Sequence, residues 1–139
     1  MKFLLDTNAI SEPTRRAPDR GFLGWLQDRN AEELSTSVLV VGELRRGARN
    51  LAPGSRRTDI EAWLAQCITE FGDRVLPIDI GVAAVWADVT IQHRQAGRVV
   101  GAVDELLAAT AIASNLTLVT RNLRDFQHSG CKLLCPWAG

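Results

Sequence analysis

Residues 1–13 read MKFLLDTNAISEP, and the step from Leu5 to Asp6 decides how the rest of the chain is read. KFLL at 2–5 is a short apolar run, the mark of a buried strand. It stops at a carboxylate followed by Thr7 and Asn8, and then by Pro13. Cap-forming residues ahead of a proline predict a helical turn and a loop. An acid therefore stands just past the carboxyl end of the first strand.

Outward from this junction, strands and helices alternate. Phe22, Leu23 and Leu26 recur at helical spacing between Asp19 and Asp28, with Trp25 beside them. LSTS at 34–37 is a short strand. A helix follows from Val38 to Leu51, with Val38, Val41 and Leu44 on one side and Arg45, Arg46 and Arg49 largely elsewhere. APGSRR at 52–57 reads as a turn with a basic tip. Ile60, Trp63, Leu64, Cys67, Ile68 and Phe71 keep the 3–4 spacing of an amphipathic helix. VLPI at 75–78 is a strand. Asp79 caps a long helix through about Gln95, with Val82, Val85, Trp86 and Val89 inside. After a loop at 97–101, Asp104 opens the helix DELLAATAIAS. Strands at 116–120 and 131–135 close the order, joined by a loop or short helix at 121–126. This alternation predicts a single α/β domain over 1–139, with a mainly parallel sheet and helices on both faces. Ligands of such sheets bind beyond the carboxyl strand ends, near the switch in strand order. Asp6 and Asn122 both stand at such ends, and Asp104 at a helix start.

The bulk numbers bound the function. At 139 residues, 46% hydrophobic and 23% charged, the chain has enough apolar material for one core. Lys plus Arg and Asp plus Glu number 16 each, so net charge is zero and bulk-charge binding of nucleic acid is excluded. The basic set is nonetheless skewed, with 14 Arg against Lys2 and Lys132. Arg offers the planar fork that matches phosphate, although a bias in codon usage explains the skew as well. Cys67, Cys131 and Cys135 form no CxxC, which argues against a disulfide framework or a zinc site. Cys131 and Cys135 are expected on one side of the last strand. His93 and His128 lack metal-like neighbours and are read as surface or capping residues. The apolar run before Asp6 is too short for a signal peptide, and no stretch is long enough to span a membrane, so a cytoplasmic protein is expected. No GxGxxG or P-loop pattern occurs.

Five polar positions are candidates to carry the chemistry, and each has a plain structural explanation. Asp6 alone is a helix cap. Glu43 alone is a solvated acid pairing with Arg46, worth tenths of a kcal/mol. Asp104 complements a helix dipole. Asn122 is a turn residue, and Asp125 caps the short segment after it. Their combination is more than these parts. LLDTN, VVGELRRG, DELLAATA and LVTRNLRDF follow one another in this order and at these separations.

In that arrangement the chain resembles the PIN-domain family and, within it, the VapC-like toxins, most closely the FitB group. The likeness rests on LLDTNAISEP at the start and CPWAG at the end, and it runs from residue 1 to 137. It implies a Mg²⁺-dependent (or Mn²⁺-dependent) endoribonuclease, the toxin of a type II toxin–antitoxin system. Asp6, Glu43 and Asp104 match the family's central acids, with Asp6 and Asp104 as metal ligands and Glu43 as a further ligand or the group that orients water. Thr7, Asn8 and Thr120 would fix the carboxylates from behind, and Arg46, Arg121 and Arg124 would touch RNA. Asn122 departs from the Asp found at this position in many members. An amide keeps an oxygen but adds no charge, which favours one firmly held ion over two. The charge balance is consistent with this. Crowded carboxylates repel by roughly a few kcal/mol per close pair, and a hard divalent ion removes the conflict.

The resemblance further implies an antitoxin of the ribbon-helix-helix, FitA- or VapB-like kind, a homodimer or higher assembly with it, and DNA contact only through that partner. Trp25, Leu26, Val40 and Leu44 are candidates to line a groove for the antitoxin tail, unless they belong to the core. Two other readings stand beside this one. A catalytically weak RNA-binding module on the same fold would follow if the Asn122 departure matters. An unrelated α/β domain, such as a phosphate receiver, would need paired acids at the first strand and a late Lys; Asp6 has no acidic neighbour and Lys132 is badly placed.

Overall fold

The computed structural model describes residues 1–138. Five strands form one all-parallel sheet: β1 (Phe3–Leu5), β2 (Leu34–Ser37), β3 (Val75–Leu76), β4 (Thr117–Val119) and β5 (Lys132–Leu134), in the order β3-β2-β1-β4-β5. Between them run α1 (Thr7–Ser11), α2 (Arg20–Gln27), α3 (Val38–Arg49), α4 (Ser55–Phe71), α5 (Ile80–Gln95), α6 (Ala102–Ala113) and α7 (Leu123–Phe126). The chain moves from β1 outward to β3, then crosses back to β4 on the far side of β1 and on to β5. Right-handed crossovers in opposite directions put helices on opposite faces. The reversal beside β1 is the switch point, and it opens where Asp6 leaves the strand.

The core explains the apolar spacing. Leu4, Leu118 and Val119 of the central strands are buried together with Phe22 of α2, Val40 of α3 and Leu107, Ala108 and Ala111 of α6. Small residues on α6 let it serve two neighbours, since Ala109 and Ile112 turn instead toward Val82, Val85, Trp86 and Val89 of α5. The polar residues of β2 are satisfied by hydrogen bonds: Ser35 Oγ donates to Phe3 O at 2.8 Å, Thr36 Oγ1 donates to Leu5 O at 3.0 Å, and Ser37 Oγ accepts from Leu39 N to cap α3. Asp79 caps α5 by accepting from Val82 N.

Several expectations are corrected. The third strand ends at Leu76, because Pro77 has no N–H for the ladder. Residues 55–57 are already helical and form the first turn of α4 rather than a turn tip. On α3 the buried line is Val40, Leu44 and Ala48, four residues apart, while Val38 is exposed. Cys131 and Cys135 flank β5 and do not lie within it. All three cysteines are free, and burial pushes the Cys131 thiol up to about 11.

His93 is the largest correction. It is 2% exposed, and its Nδ1 lies 2.8 Å from Glu105 Oε2, tying α5 to the first turn of α6. Its position was readable: Val82, Trp86, Val89 and His93 fall on one helical line, so the spacing that buries the first three buries the fourth. An ionised Glu105 only accepts, so Nδ1 carries the proton of this bond. His93→Ala removes the partner of a nearly buried carboxylate and opens a cavity. It is expected to cost about 2–4 kcal/mol in denaturant unfolding. A loss below about 0.5 kcal/mol would show that the bond carries little of the α5–α6 contact.

Candidate active site

Asp6 is held by the turn that begins with it. As N-cap of α1 it accepts from Ala9 N at 2.8 Å, so the cap explanation is correct as far as it goes. A second bond comes from the other side of the switch point, where the Thr120 hydroxyl at the end of β4 donates to the Asp6 carboxylate. Thr120 Oγ1 also accepts from Asn122 N at 2.9 Å. One fully buried hydroxyl thus couples Asp6 to the turn that carries Asn122.

Glu43 projects from the middle of α3. Its Oε1 accepts from Thr7 Oγ1 at 2.6 Å, so its partner is the residue next to Asp6 and not Arg46, which is exposed on α3. Asp104 stands in the first turn of α6, where Gly101, not Asp104, is the N-cap. Asn122 Nδ2 donates to Asp125 Oδ2, which ties these two side chains together.

Four segments that are distant in sequence therefore meet at one place. Asp6, Thr7, Asn8, Glu43, Asp104 and Asn122 line a single cavity of about 210 Å³, closed on its apolar side by Leu107 and Phe126. The electrostatics are those of crowded acids. Burial first, and then the charges of Asp104 and Glu43, push the Asp6 carboxyl above its ordinary value against the hydrogen bonds of Thr120 and Ala9. Burial, Glu43 and Asp125 push Asp104 up as well. Asp125 thus acts on the site through its charge, which its place in the sequence did not show. The acids share the cavity without closing on one point: among the described residues, no three acidic, histidine or cysteine side chains are drawn close enough to enclose an ion alone. Oxygen donors around a polar cavity suit a hard divalent ion that keeps several of its waters.

A second, larger cleft of about 910 Å³ begins at the same Thr7 and Glu43 and runs along α3 and α4 past Leu44, Ile60 and Trp63, with Arg15, Arg16 and Arg56 among its polar lining. Of the four groove candidates only Leu44 lines this cleft. Leu26 borders another cavity, Val40 is fully buried, and Trp25 packs edge-on against Phe3 at 5.0 Å. Of the expected RNA contacts, Arg121 lines a cavity next to Asn8, while Arg124 is exposed and its carbonyl accepts from Arg98. Among the described residues, no helix is long and apolar enough to cross a membrane.

The sequence carried no marker for the role of Glu12. Its carboxylate is buried, and its Oε1 accepts from Trp137 Nε1 at 2.7 Å, so the start and the end of the chain are clasped together. Asp19 Oδ2 strengthens the clasp by accepting from both Phe22 N and Ala138 N. Gly21 lets the terminal segment lie this close, since a Cβ there would stand 2.8–3.0 Å from Ala138 and Pro136. Gly21→Ala is expected to lower the melting temperature by several degrees, from a cost of about 1–3 kcal/mol. An unchanged melting curve would mean that the terminal segment moves aside freely.

The chain is similar to known proteins over most of its length. The PIN-domain family matches residues 3–129. The chain is 36% identical to VapC ribonuclease Y4jK of Sinorhizobium fredii, covering 96% of each chain. It is also 36% identical to Toxin FitB of Neisseria gonorrhoeae, covering 96% of this chain and 97% of that one. The crystal structure of FitAcB from Neisseria gonorrhoeae superposes with a TM-score of 0.92 at 34% identity, covering 99% of both chains. Other solved structures of this fold are VapBC and FitAB complexes, some of them bound to DNA fragments.

Proposed function

The chain belongs to the PIN-domain family, and on that footing we propose that it is the toxin of a type II toxin–antitoxin system, an endoribonuclease that hydrolyses RNA phosphodiester bonds with the help of Mg²⁺ or Mn²⁺. The observation that carries the reading is the convergence of Asp6, Glu43 and Asp104 on one cavity at the switch point of the sheet. When bound, the divalent ion supplies charge against the scissile phosphate and makes water a better nucleophile at neutral pH. Asp6 and Asp104 would hold it, directly or through water, with the Asn122 oxygen at the edge. Glu43 Oε1 is engaged by Thr7, which leaves Oε2 to accept a proton from the attacking water. Thr120 and Ala9 N fix the Asp6 rotamer, so the site is ordered before substrate arrives.

An antitoxin partner is supported by the complexes among the structural neighbours. The 910 Å³ cleft offers its tail an apolar wall of Leu44, Ile60 and Trp63 leading to Glu43. The ribbon-helix-helix form of that antitoxin, DNA contact through it alone, a homodimer and a cytoplasmic location complete the proposal. Exposed Ile80 and Ile91 on α5 and Val99 beyond it are apolar surface available to a second copy.

The test is incubation of purified protein with RNA in Mg²⁺, in EDTA and as Asp6→Asn. Cleavage in the first alone is expected. Equal cleavage in all three would overturn the proposal, and RNA binding without any cleavage would favour the non-catalytic reading.

The same site predicts a pH dependence. Asp6 and Asp104 have raised native pKa values, so their contribution to stability is fullest at low pH. It is lost as pH rises from the ordinary carboxylate range, about 4, through the raised values. In metal-free buffer the stability advantage of Asp6→Asn over the parent should therefore grow with pH across this window. Added Mg²⁺ should shrink it, because the ion stabilises only the ionised parent. Unfolding at about pH 4 and about pH 7, with and without Mg²⁺, checks this. A constant difference would mean that the acids are not strained by their burial and proximity.

A further inference from the structure

The three acids of the cavity differ in what holds them. Asp6 is fixed by Ala9 N and the Thr120 hydroxyl, and Glu43 by Thr7. Among the described residues, no hydrogen bond or ion pair holds the Asp104 carboxylate, which feels only burial and the charges of Glu43 and Asp125. Its direction is therefore set by the backbone of the turn that carries it. That turn has no side-chain cap, since its N-cap is Gly101.

What fastens the turn is the next residue. Glu105, Ala109 and Ile112 share one line of α6. Ala109 and Ile112 pack on α5 with Val82, Trp86 and Val89, and Glu105 extends the same contact to His93, with Oε2 2.8 Å from Nδ1. Asp104 stands one residue back, about 100° around the helix. It shares its line with Ala108 and Ala111, which belong to the core of the sheet. His93 also holds the connection between the two helices at its start, where its carbonyl accepts from Arg98 N at 2.8 Å. Main chain and side chain of one residue thus secure the two ends of that connection.

Packing alone does not account for an imidazole at this place. His93 Nε2 is buried and has no partner among the described residues, a cost that an apolar side chain of similar size would avoid. What His93 supplies, and an apolar residue cannot, is the directed Nδ1–H. Side chains stand about 5–6 Å from a helix axis, so a rotation of α6 by about 10° would move the Asp104 carboxylate by about 1 Å. A misplacement of that size costs about a hundredfold in rate when a group must meet a reacting centre. We propose that His93 is a positioning residue: by holding Glu105 it sets the rotation of α6 and so aims Asp104 into the acidic cavity. It acts through α6 and does not touch the reacting atoms. The inference rests on the ribonuclease reading above.

The experiment compares His93→Leu and His93→Asn with the parent. Leu fills the space without a donor, and Asn sets an amide N–H where Nδ1 stands. Mn²⁺ binding to the RNA-free protein and the kinetics of RNA cleavage read the site, while melting curves read the fold. His93→Leu is expected to weaken Mn²⁺ binding about tenfold and to lower kcat roughly 10- to 100-fold, with KM for RNA close to that of the parent. His93→Asn should recover most of both losses. In an Asp104→Asn background, His93→Leu should lower kcat no further, because its effect passes through that carboxylate. Arg74→Ala, which frees Leu34 O at the opposite end of β2, should lower the melting temperature without moving Mn²⁺ affinity or kcat. If His93→Leu fails to fold, Glu105→Ala breaks the same bond from its less buried side and should show the same losses. Parental Mn²⁺ affinity and kcat in a folded variant that lacks the bond overturn the positioning role. So does an undiminished effect in the Asp104→Asn background, or an equal effect from Arg74→Ala. RNA cleavage by the parent with these results would leave the ribonuclease reading standing. A parent that neither binds Mn²⁺ nor cleaves RNA would sink that reading and the positioning role with it.

Discussion

Asp104→Asn is expected to lower RNA cleavage by roughly 100- to 1000-fold, the scale of losing one preorganised electrostatic group at a reacting centre. The protein should stay folded, and its metal-free form should be at least as stable as the parent at neutral pH. The second expectation separates a chemical effect from a folding effect. Asp104 is half-buried on α6, pushed up by burial and by the charges of Glu43 and Asp125, so its ionised form is a source of strain. Asn keeps the shape and removes the charge. Because Gly101 is the N-cap, no helix start is lost. Paired activity and unfolding measurements check both parts. Activity close to that of the parent would remove Asp104 from the chemistry, and a large loss of stability would make it a structural acid. A site that is less stable because of its function is common where like charges are held in place for a ligand.

Trp137→Ala is expected to destabilise the protein more than any of the other substitutions, at about 3–5 kcal/mol. Trp137 is 7% exposed and stacks on Phe22 at a centroid distance of 4.5 Å. Its loss leaves a cavity, and it leaves Glu12 buried without its best hydrogen bond. Trp137→Phe separates these effects. It keeps the stack and removes only the N–H, for an expected cost of about 1–3 kcal/mol. The clasp also has a pH signature opposite to that of the acidic cavity. The Trp137 bond first, then Asp19 N and the nearby Arg15 and Arg121, hold the Glu12 carboxyl below its ordinary value. Its stabilisation is complete above the ordinary Glu pKa of about 4.3 and is lost as pH falls through the lower native value. The Trp137→Phe penalty should therefore shrink on acidification. Guanidinium unfolding at neutral pH and near about pH 3 measures this, and a penalty that is small and independent of pH would overturn the clasp.

The two results concern the two ends of one short helix. α1 begins at Asp6 and is capped at its far end by Glu12. The clasp that fixes Glu12 thus braces the helix that aims Thr7 and Asn8 into the acidic cavity. This gives physical content to the co-occurrence of SEP near the start of the chain and PW near its end. The two segments are partners in one hydrogen bond across 125 positions of sequence.

The sequence by itself determined the order of elements and the identity of the acids. Apolar runs, helical spacing and capping residues act over a few positions, so they survive in a linear reading: LSTS is a strand with the bounds expected, Asp79 is a cap, and LLDTN is a strand end. Where the reading failed, a partner on another element was involved. Pro77 shortened a strand because the neighbouring strand needed an N–H, and His93, although its helical line turned it inward, needed Glu105 on another helix as its partner. Convergence belongs wholly to the tertiary structure. The strand order β3-β2-β1-β4-β5 brings Asp6, Glu43 and Asp104 to one cavity, and no spacing along the chain encodes that order. Charge at a site is set by which side chains burial brings together, and on a chain whose net charge is zero only the fold can separate the signs.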